Sequence, residues 1–345
     1  MLPLRNPFRM LSLLYGSGVT LRNKMFDRGM LKSIEFDVPV IAIGNLRVGG
    51  TGKTPCTEWL LELFQSEYKV AMLSRGYGRR TKGFRWVNAA DTAKESGDEP
   101  VQVKQKFPDV PIAVCEDRAT GIVQMLADVD ADVILLDDAF QHRYVKPSYS
   151  IVLSSFHQPF FSDELLPMGR LREQPKHLKR ADCLIYTKCP DDWQEQRGDY
   201  IAHVREYAPN ALVAFSKLAY ATPKPVFETT VPIANDVLLI TAIADAKPLV
   251  QHLEKQFNVV RHYAYPDHYQ FMKSDVTNWR NELKKHATST VVFTTEKDAV
   301  RLKDMKEQLK DLPIYFVPMK MEMVEGQQAL TASLKERIAE VSKEK

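Results

Sequence analysis

The stretch from residue 40 to residue 58 constrains the fold of this chain more than any other. It begins with the apolar run 40–43, which is typical of a strand buried on both faces of a parallel sheet. Glycines at 49, 50 and 52 then permit the positive φ angles with which backbone N–H groups turn around an anion. Lys53 and Thr54 stand where a P-loop places its phosphate-binding ammonium and its magnesium-binding hydroxyl. The stretch therefore predicts a strand, a phosphate-binding loop and a helix start.

One position departs from the strict Walker A pattern, because Arg47 stands six residues before the lysine, where that pattern has glycine. The alternative is a glycine-rich turn with a chance Gly-Lys-Thr sequence. The order of strand, turn and helix start favours a true nucleotide-binding loop. We predict that this loop comprises Arg47, Val48, Gly49, Gly50, Thr51, Gly52, Lys53 and Thr54.

A second signal is the apolar run 133–136, which ends in Asp137 and Asp138. A carboxylate at the tip of a buried strand is the Walker B arrangement, which supports the magnesium shell of a bound nucleotide. Many core strands end in aspartate, so the pattern alone is weak. Its place downstream of the phosphate-binding loop favours the metal-supporting interpretation.

Length and composition limit the other possibilities. At 345 residues the chain is long enough for two domains with separate cores. Its net charge of +3 gives no reason to expect a nucleic-acid partner. No run of about 18 apolar residues occurs, so no segment is predicted to span a bilayer. The four cysteines have no CxxC spacing, which is typical of reduced cytosolic thiols.

The predicted fold class is α/β, with a P-loop NTPase-like, mostly parallel sheet, a second, smaller α/β domain and an N-terminal amphipathic helix. Further strands of the first sheet are predicted at 70–73, 111–114, 151–154 and 181–188, and strands of the second at 237–242, 259–263, 291–295 and 314–317. Residues 190–235 contain many prolines and few long apolar periods, which indicates a domain junction. The predicted divisions are an amphipathic segment at 1–30, a P-loop domain at 31–215 and a smaller domain at 216–345.

The first 30 residues have a basic amphipathic pattern. Turned at about 100° per residue, six apolar side chains fall within about 60° of one another, with basic residues on other faces. The six are Leu4, Phe8, Leu11, Tyr15, Val19 and Phe26, and the basic residues are Arg5, Arg9, Lys24 and Arg28. Such a segment can rest in the headgroup layer of an anionic membrane. The alternative, a helix packed on its own domain, stays open because surface helices share this pattern.

Several polar loops follow predicted strands. The basic loop 74–80 suits phosphate, because guanidinium groups bind its oxygens bidentately. Asp98 and Glu99 stand before a predicted helix, where acids often only cap the N-terminus. His268 follows Asp267 in a proline-bounded loop, where a histidine is more often structural, although the neighbouring acid raises the odds of a catalytic role.

Taken together, these motifs resemble the tetraacyldisaccharide 4'-kinase family of bacterial lipid A synthesis. The resemblance extends over nearly the whole chain and rests on the order and combination of its motifs. They are GNLRVGGTGKTP at 44–55, LSRGYGR at 73–79, GDEP at 97–100, DDAFQHR at 137–143, RLRE at 170–173, RADCLIYTK at 180–188, YPDHYQF at 265–271 and TTEKDAVR at 294–301.

The resemblance implies transfer of the γ-phosphate of ATP to the 4'-hydroxyl of an acylated glucosamine disaccharide 1-phosphate, with Mg²⁺ as cofactor. It implies a peripheral protein on the cytoplasmic face of the inner membrane, and no obligate protein partner is evident. Asp98 would accept the hydroxyl proton, with His268 paired to it from the second domain, so that domain closure would assemble the site. Lys53 would hold phosphate, and Thr54, Asp137, Asp138 and Glu173 would support the metal. Arg118, Arg170 and Arg172 are the candidates for neutralising the transferring phosphoryl group.

Two other functions fit parts of the sequence. A P-loop GTPase or metal-delivery ATPase would suit the paired glycines and the Thr187-Lys188 pair. A peripheral membrane protein that uses ATP only as a switch would need neither Asp98 nor His268. The presence of both residues favours the kinase.

Overall fold

The structure is a computed structural model that describes residues 7–286 and 290–343. The helices are α1 Pro7–Asp27, α2 Lys53–Phe64, α3 Ala93–Ser96, α4 Asp98–Lys106, α5 Arg118–Asp128, α6 Arg197–Tyr207, α7 Lys247–Leu253, α8 Lys273–Leu283, α9 Glu296–Lys303, α10 Lys306–Leu309 and α11 Gln327–Lys343. Short 3₁₀ helices occupy Phe160–Ser162, Pro175–Arg180 and Trp193–Gln196. The strands are β1 Val40–Asn45, β2 Val70–Ser74, β3 Arg85–Trp86, β4 Ile112–Val114, β5 Val133–Leu136, β6 Tyr149–Ser155, β7 Cys183–Thr187, β8 Leu212–Tyr220, β9 Lys224–Pro225, β10 Asp236–Thr241, β11 Asn258–Ala264, β12 Val291–Thr295, β13 Ile314–Val317 and β14 Met319–Glu325.

The chain forms two compact units, and each consists of separated segments. The first unit contains the described residues within Met1–Arg75, Val110–Leu218 and Met321–Lys345, and the second contains those within Gly76–Asp109 and Ala219–Lys320. The divisions predicted from sequence, in contrast, are continuous in the chain. Residues 76–109 leave the first unit directly after β2 and the chain returns to it just before β4.

The first unit is built on a sheet with the strand order β14-β8-β7-β6-β1-β5-β2-β4. Strand β1 pairs in parallel with β5 on one side and β6 on the other. Its residues 40–43 are at most 3% exposed, as expected for a strand covered on both faces. Parallel pairing places the ends of β1, β2, β5 and β7 at one edge, where ligands of open α/β sheets bind.

The second unit has a sheet with the order β11-β10-β12-β13-β9. Strands β10, β11, β12 and β13 pair in parallel, and β9 joins antiparallel at the edge. Trp279 of α8 is fully buried in one of its core clusters, together with Leu238 and Val292. The two parallel sheets with covering helices confirm the predicted α/β class.

The domain junction predicted within 190–235 is consistent with the boundary between the two units, which falls between Leu218 and Ala219. The same stretch also contains α6 and β8, and β8 pairs in parallel with β7 inside the first sheet. Its apolar pattern is interrupted by Ser216 and Lys217, of which Lys217 forms an ion pair with Asp191. The strand is therefore recognisable from its sheet neighbour and not from its own periodicity.

Helix α1 packs on the first unit through Phe26 and a set of small and polar residues. Ser12, Gly16 and Asn23 are buried together with Phe26, whereas Phe8, Leu11 and Tyr15, also of the predicted apolar face, are exposed. A Cβ on Gly16 would come within 2.6 Å of the Leu165 side chain, so a larger residue here would require Leu165 to move. Leu4 and Arg5 lie outside the described residues. None of the described helices is both long enough and apolar enough to cross a membrane.

Candidate active site

The predicted phosphate-binding loop connects β1 to α2 in the first unit. Gly52 has φ 86° and immediately precedes α2, so the first N–H groups of the helix are left without helical partners. The loop is held from both sides: Asn45 donates to the Thr51 hydroxyl at 2.5 Å, and the Thr187 hydroxyl donates to the Thr51 carbonyl at 2.9 Å. These contacts fix the turn that presents Lys53.

The first two residues of the predicted loop have protein partners. Nε of Arg47 lies 2.5 Å from Asp163, and the backbone N–H of Val48 donates to the Arg170 carbonyl at 2.9 Å. Both contacts tie the loop to the segment 163–172. The backbone groups that can turn toward phosphate are consequently those from Gly49 onward.

Asp138 is contacted by two cations of the first unit, Lys53 and Arg172. Nη2 of Arg172 lies 2.8 Å from its Oδ1, and Nζ of Lys53 lies 3.7 Å from the same atom. Burial by itself would raise the pKa of Asp138, but Lys53 and Arg172 outweigh it and lower the pKa to about 2. Asp138 therefore carries a full negative charge at neutral pH and holds both cations in place. Arg172 also donates to Asn45, at the end of β1.

Arg118 approaches Asp138 from α5. It is 3% exposed, and its Nη2 donates to the Asp138 carbonyl at 3.4 Å. Its backbone N–H donates to Nε2 of His142 at 3.3 Å. Burial and the Arg118 charge lower the pKa of His142 to about 4, so this ring is neutral at pH 7. Arg118 and Arg172 thus lie with Asp138, whereas Arg170 is exposed and contributes only its backbone.

The predicted metal-supporting residues occupy different surroundings. Asp137 is 1% exposed at the end of β5 and accepts a hydrogen bond from Ser74 at 3.3 Å. Thr54 is the second residue of α2. A hydroxyl and a carboxylate are oxygen donors that suit Mg²⁺, which binds through one or two protein ligands together with phosphates and water. No group of three or more His, Cys, Asp or Glu suited to a metal occurs among residues 7–286 and 290–343.

Glu173 lies in a separate buried network. Its Oε2 accepts from Arg180 at 2.6 Å and from Asn23 of α1 at 3.0 Å, and it lies 3.1 Å from Nδ1 of His177. Burial would raise the pKa of Glu173, but His177 and Arg180 lower it. Both its charge and its hydrogen bonds are therefore used inside the protein, and it connects α1 to the segment that carries Arg172.

The second unit brings Asp98 and His268 together. Gly97, with φ 92°, allows α4 to begin at Asp98, and a Cβ there would meet the backbone of Gly76 at 3.2 Å. Nδ1 of His268 lies 3.1 Å from Oδ2 of Asp98. The sequence predicts, in contrast, that these residues lie in different domains that meet on closure, and the observed division differs from this prediction. Residues 76–109 and the loop before α8 belong to the same unit.

Two cations of α9 complete this group, and the sequence analysis assigned neither a role. Lys297 lies 2.9 Å from Glu99 and 3.3 Å from Nε2 of His268, and Nε of Arg301 lies 3.7 Å from Asp98. Lys297 and Arg301 are four residues apart within the TTEKDAVR motif, which places them on one helix face. This spacing is the sequence pattern from which the two cations could have been predicted as site residues. Burial would raise the pKa of Asp98, but Lys297, His268 and Arg301 together lower it.

Comparisons with known proteins identify the family to which the chain belongs. The family model described as LpxK, tetraacyldisaccharide-1-P 4'-kinase, matches residues 4–339. A tetraacyldisaccharide 4'-kinase of Bacteroides thetaiotaomicron is 42% identical over 337 residues, covering 92% of this chain and 88% of the relative. That of Flavobacterium johnsoniae is 38% identical, covering 95% and 96%.

The crystal structure of LpxK from Aquifex aeolicus in complex with ATP has a TM-score of 0.73 to this chain at 28% identity, covering 95% of this chain and 97% of the other. This neighbour and the mostly parallel first sheet confirm the predicted P-loop NTPase-like fold. By its sequence and by its fold, the chain is a member of the tetraacyldisaccharide-1-P 4'-kinase family.

Proposed function

We propose that this protein is an ATP-dependent kinase that transfers the γ-phosphate to the 4'-hydroxyl of a tetraacylated glucosamine disaccharide 1-phosphate. The product is lipid IVA, an intermediate of lipid A synthesis. The observation that carries the proposal is the convergence of Lys53 and Arg172 on Asp138, beside a glycine loop at a helix start, in a member of this kinase family.

The first unit supplies the groups that phosphoryl transfer requires. The reaction needs positioning and charge neutralisation more than covalent help. Backbone N–H groups from Gly49 to Thr54 and the Lys53 ammonium bind the β- and γ-phosphates. Arg118 and Arg172 neutralise charge on the transferring group, because both guanidinium groups lie at Asp138. The exposed Arg170 positions Val48 through its backbone.

Thr54 and Asp137 are the residues that we propose hold Mg²⁺. When bound, the ion would neutralise charge on the phosphates. Asp138 supports this arrangement by orienting Lys53 and Arg172. Glu173, predicted as a further metal helper, instead stabilises the segment 172–180 through Arg180 and His177.

We propose Asp98 as the general base that accepts the 4'-hydroxyl proton. Its carboxylate is 5% exposed and remains ionised, because its pKa is lowered by Lys297, His268 and Arg301 against the opposing effect of burial. A positioned carboxylate can take a proton within hydrogen-bond reach of the attacking hydroxyl. His268 holds Asp98 in one orientation.

Helix α1 supports a peripheral location at the cytoplasmic face of the inner membrane. Leu13, Leu14 and Leu21 are 66%, 62% and 62% exposed, while the polar side of the helix is used for packing. Ser12 donates to the Leu165 carbonyl at 2.8 Å. Both interpretations of this segment can therefore hold at once, because one face of α1 packs on the protein and the exposed leucines can lie in the headgroup layer.

One assay tests the proposed activity. Purified protein is incubated with labelled ATP, Mg²⁺ and the acylated disaccharide 1-phosphate in detergent, and the lipids are separated. We expect a labelled bisphosphorylated lipid. Nucleotide hydrolysis without a labelled lipid, unaffected by the acylated sugar, would instead support the GTPase or metal-delivery ATPase.

A further inference from the structure

Lys297 is an ammonium enclosed by three different partners in the second unit. Its side chain is 16% exposed and its Nζ lies 2.9 Å from Oε1 of Glu99, 3.5 Å from Oδ1 of Asp267 and 3.3 Å from Nε2 of His268. Burial alone would lower the pKa of Lys297, but Glu99, Asp98 and Asp267 raise it. The lysine is therefore charged at neutral pH.

Lys297 and Asp98 together determine which ring nitrogen of His268 carries the proton. An ammonium has three donors and no acceptor, so Nε2 of His268 can share a hydrogen bond with it only through its lone pair. An ionised carboxylate can only accept, so Nδ1 carries the proton of the neutral ring and donates it to Oδ2 of Asp98 at 3.1 Å. Asp98 therefore requires the proton on Nδ1, and Lys297 disfavours a second proton on Nε2.

We propose that Lys297 is a positioning residue for phosphoryl transfer, holding His268 in its neutral Nδ1–H tautomer so that Asp98 stays aimed and unprotonated. This inference rests on the proposed role of Asp98 as the base. It assigns Lys297 no contact with ATP or with the glycolipid. It predicts a loss in kcat without a matching change in the KM for ATP, because only the orientation of the base is affected.

The surrounding charges support this arrangement. A doubly protonated His268 would need an acceptor for its Nε2–H, and the nearest carboxylate, Asp267, lies 3.8 Å away, beyond hydrogen-bond distance. The Nε2–H form would also direct a proton toward the Lys297 ammonium. The groups in contact with the ring are Asp98, Asp267, Lys297 and the Tyr77 ring, whose centroid lies 4.9 Å away. Glu99 on α4 contacts Lys297, and Arg301 on α9 lies near Asp98.

Arg301 cannot take over this role. Its Nη2 donates to Asp298 and to the Ala242 carbonyl, and its Nη1 donates to the Tyr269 carbonyl at 3.3 Å. These contacts occupy its guanidinium inside the unit. Of the two cations on this face of α9, only Lys297 lies within hydrogen-bond distance of the His268 ring in the described contacts.

The test compares Lys297→Met, which removes the charge, with Lys297→Arg, which keeps a cation that can only donate. Lys303→Met is the matched control, because Lys303 is an exposed lysine of the same helix that bonds Gln105. We expect kcat to fall on the order of 10²-fold in Lys297→Met, the low end of what a positioned acid–base group contributes. The KM for ATP stays constant, Lys297→Arg recovers part of the rate, and Lys303→Met retains full activity.

A second readout reports the tautomer directly and does not depend on activity. Long-range ¹⁵N–¹H spectra of the labelled wild-type protein, with the His268 signals assigned by their loss in His268→Gln, show whether Nε2 is unprotonated. We expect a protonated Nδ1 and an unprotonated Nε2 in the wild type and in Lys297→Arg. In Lys297→Met we expect a population with protonated Nε2.

The two readouts separate the possible failures. A protonated Nε2 in the wild-type protein overturns the inference even if Lys297→Met fails to fold. An unchanged tautomer in a folded Lys297→Met that has lost activity overturns it as well. If Asp98→Asn retains full transfer, the proposed base is wrong, whereas the tautomer measurement still stands.

Discussion

Oδ2 of Asp98 lies 3.1 Å from Nδ1 of His268, although 170 residues separate the two in the chain. The carboxylate stands at the first residue of α4 and the histidine in the loop between β11 and α8, both inside the second unit. Asp98 is 4% exposed. A buried acid with a dedicated histidine partner is the arrangement expected of a general base.

Asp98→Asn keeps the size of this side chain and removes its basicity. We expect kcat to fall by about 10²- to 10⁴-fold, the usual contribution of a positioned acid–base group. The KM for ATP should remain unchanged, because the lost interaction is made in the transition state. Initial rates with labelled ATP measure both, with the exposed Asp109→Asn as control. A kcat near the wild-type value would contradict the role of Asp98.

Arg172 and Arg170 are two residues apart and differ in their contacts. The side chain of Arg172 pairs with Asp138, whereas only the backbone of Arg170 contacts the loop. We expect Arg172→Ala to lower kcat by about 10²- to 10³-fold, as removal of a transition-state donor does. Arg170→Ala keeps its backbone contacts and should have a much smaller effect in the same assay. Equal losses in the two variants would refute this assignment.

Glu173→Gln tests whether this buried acid stabilises the fold or supports the metal. The change leaves Arg180 beside a neutral amide, so we expect the free energy of unfolding to fall by about 3 kcal/mol. Urea denaturation measures it, with the exposed Glu164→Gln as control. The Mg²⁺ concentration for half-maximal activity should not change. If the variant keeps full stability and needs a higher Mg²⁺ concentration for half-maximal activity, Glu173 supports the metal.

The pKa of Asp138 predicts how its contribution to stability depends on pH. Because the pKa in the folded protein, about 2, lies below the ordinary value, the carboxylate stabilises the fold above that ordinary value. This stabilisation is lost as the pH falls through the folded pKa. We therefore expect the free energy of unfolding of Asp138→Asn to lie below that of the wild type by a constant amount at neutral pH, and the gap to narrow below about pH 4. Urea titrations at a series of pH values measure the gap, and a gap that widens in acid would contradict the ion pairs with Lys53 and Arg172.

The exposed leucines of α1 predict binding to lipid surfaces. Each leucine buried in the headgroup region contributes at most about 1.5–3 kcal/mol. We expect Leu13→Asp with Leu14→Asp to weaken binding to anionic vesicles at least about tenfold, or about 1.4 kcal/mol. Sedimentation with vesicles measures it. Because both side chains are exposed, the thermal midpoint should not change.

A matched control for this experiment lies on α5, where Val123 is 58% exposed. Val123→Asp with Leu126→Asp introduces the same two charges at exposed apolar positions of α5, where Leu126 is 37% exposed, and should leave vesicle binding nearly intact. Equal losses would mean that added negative charge, and not the apolar face of α1, governs the binding.

The sequence by itself determined the elements with strong local signals. The apolar run 40–43, the glycines before Lys53 and the acids after 133–136 predict a strand, a loop and a strand end wherever the chain folds, because each depends on local periodicity or on permitted φ angles. The predicted strands of both sheets are present, and the family followed from the order of the motifs.

Only the tertiary structure decided which of these residues meet. The sequence does not show whether Arg170 or Arg172 neutralises the phosphoryl group, because the direction of each side chain depends on how the loop packs against Asp163 and Val48. Glu173 is predicted from sequence to support the metal, and in the structure Asn23 of α1 and Arg180 contact it. Asp98 and His268 are predicted in two domains, and in the structure both lie in one unit. Several of these contacts, including those of Asn23 with Glu173 and of Asp98 with His268, join positions more than a hundred residues apart, and the order of strands in each sheet brings them within reach.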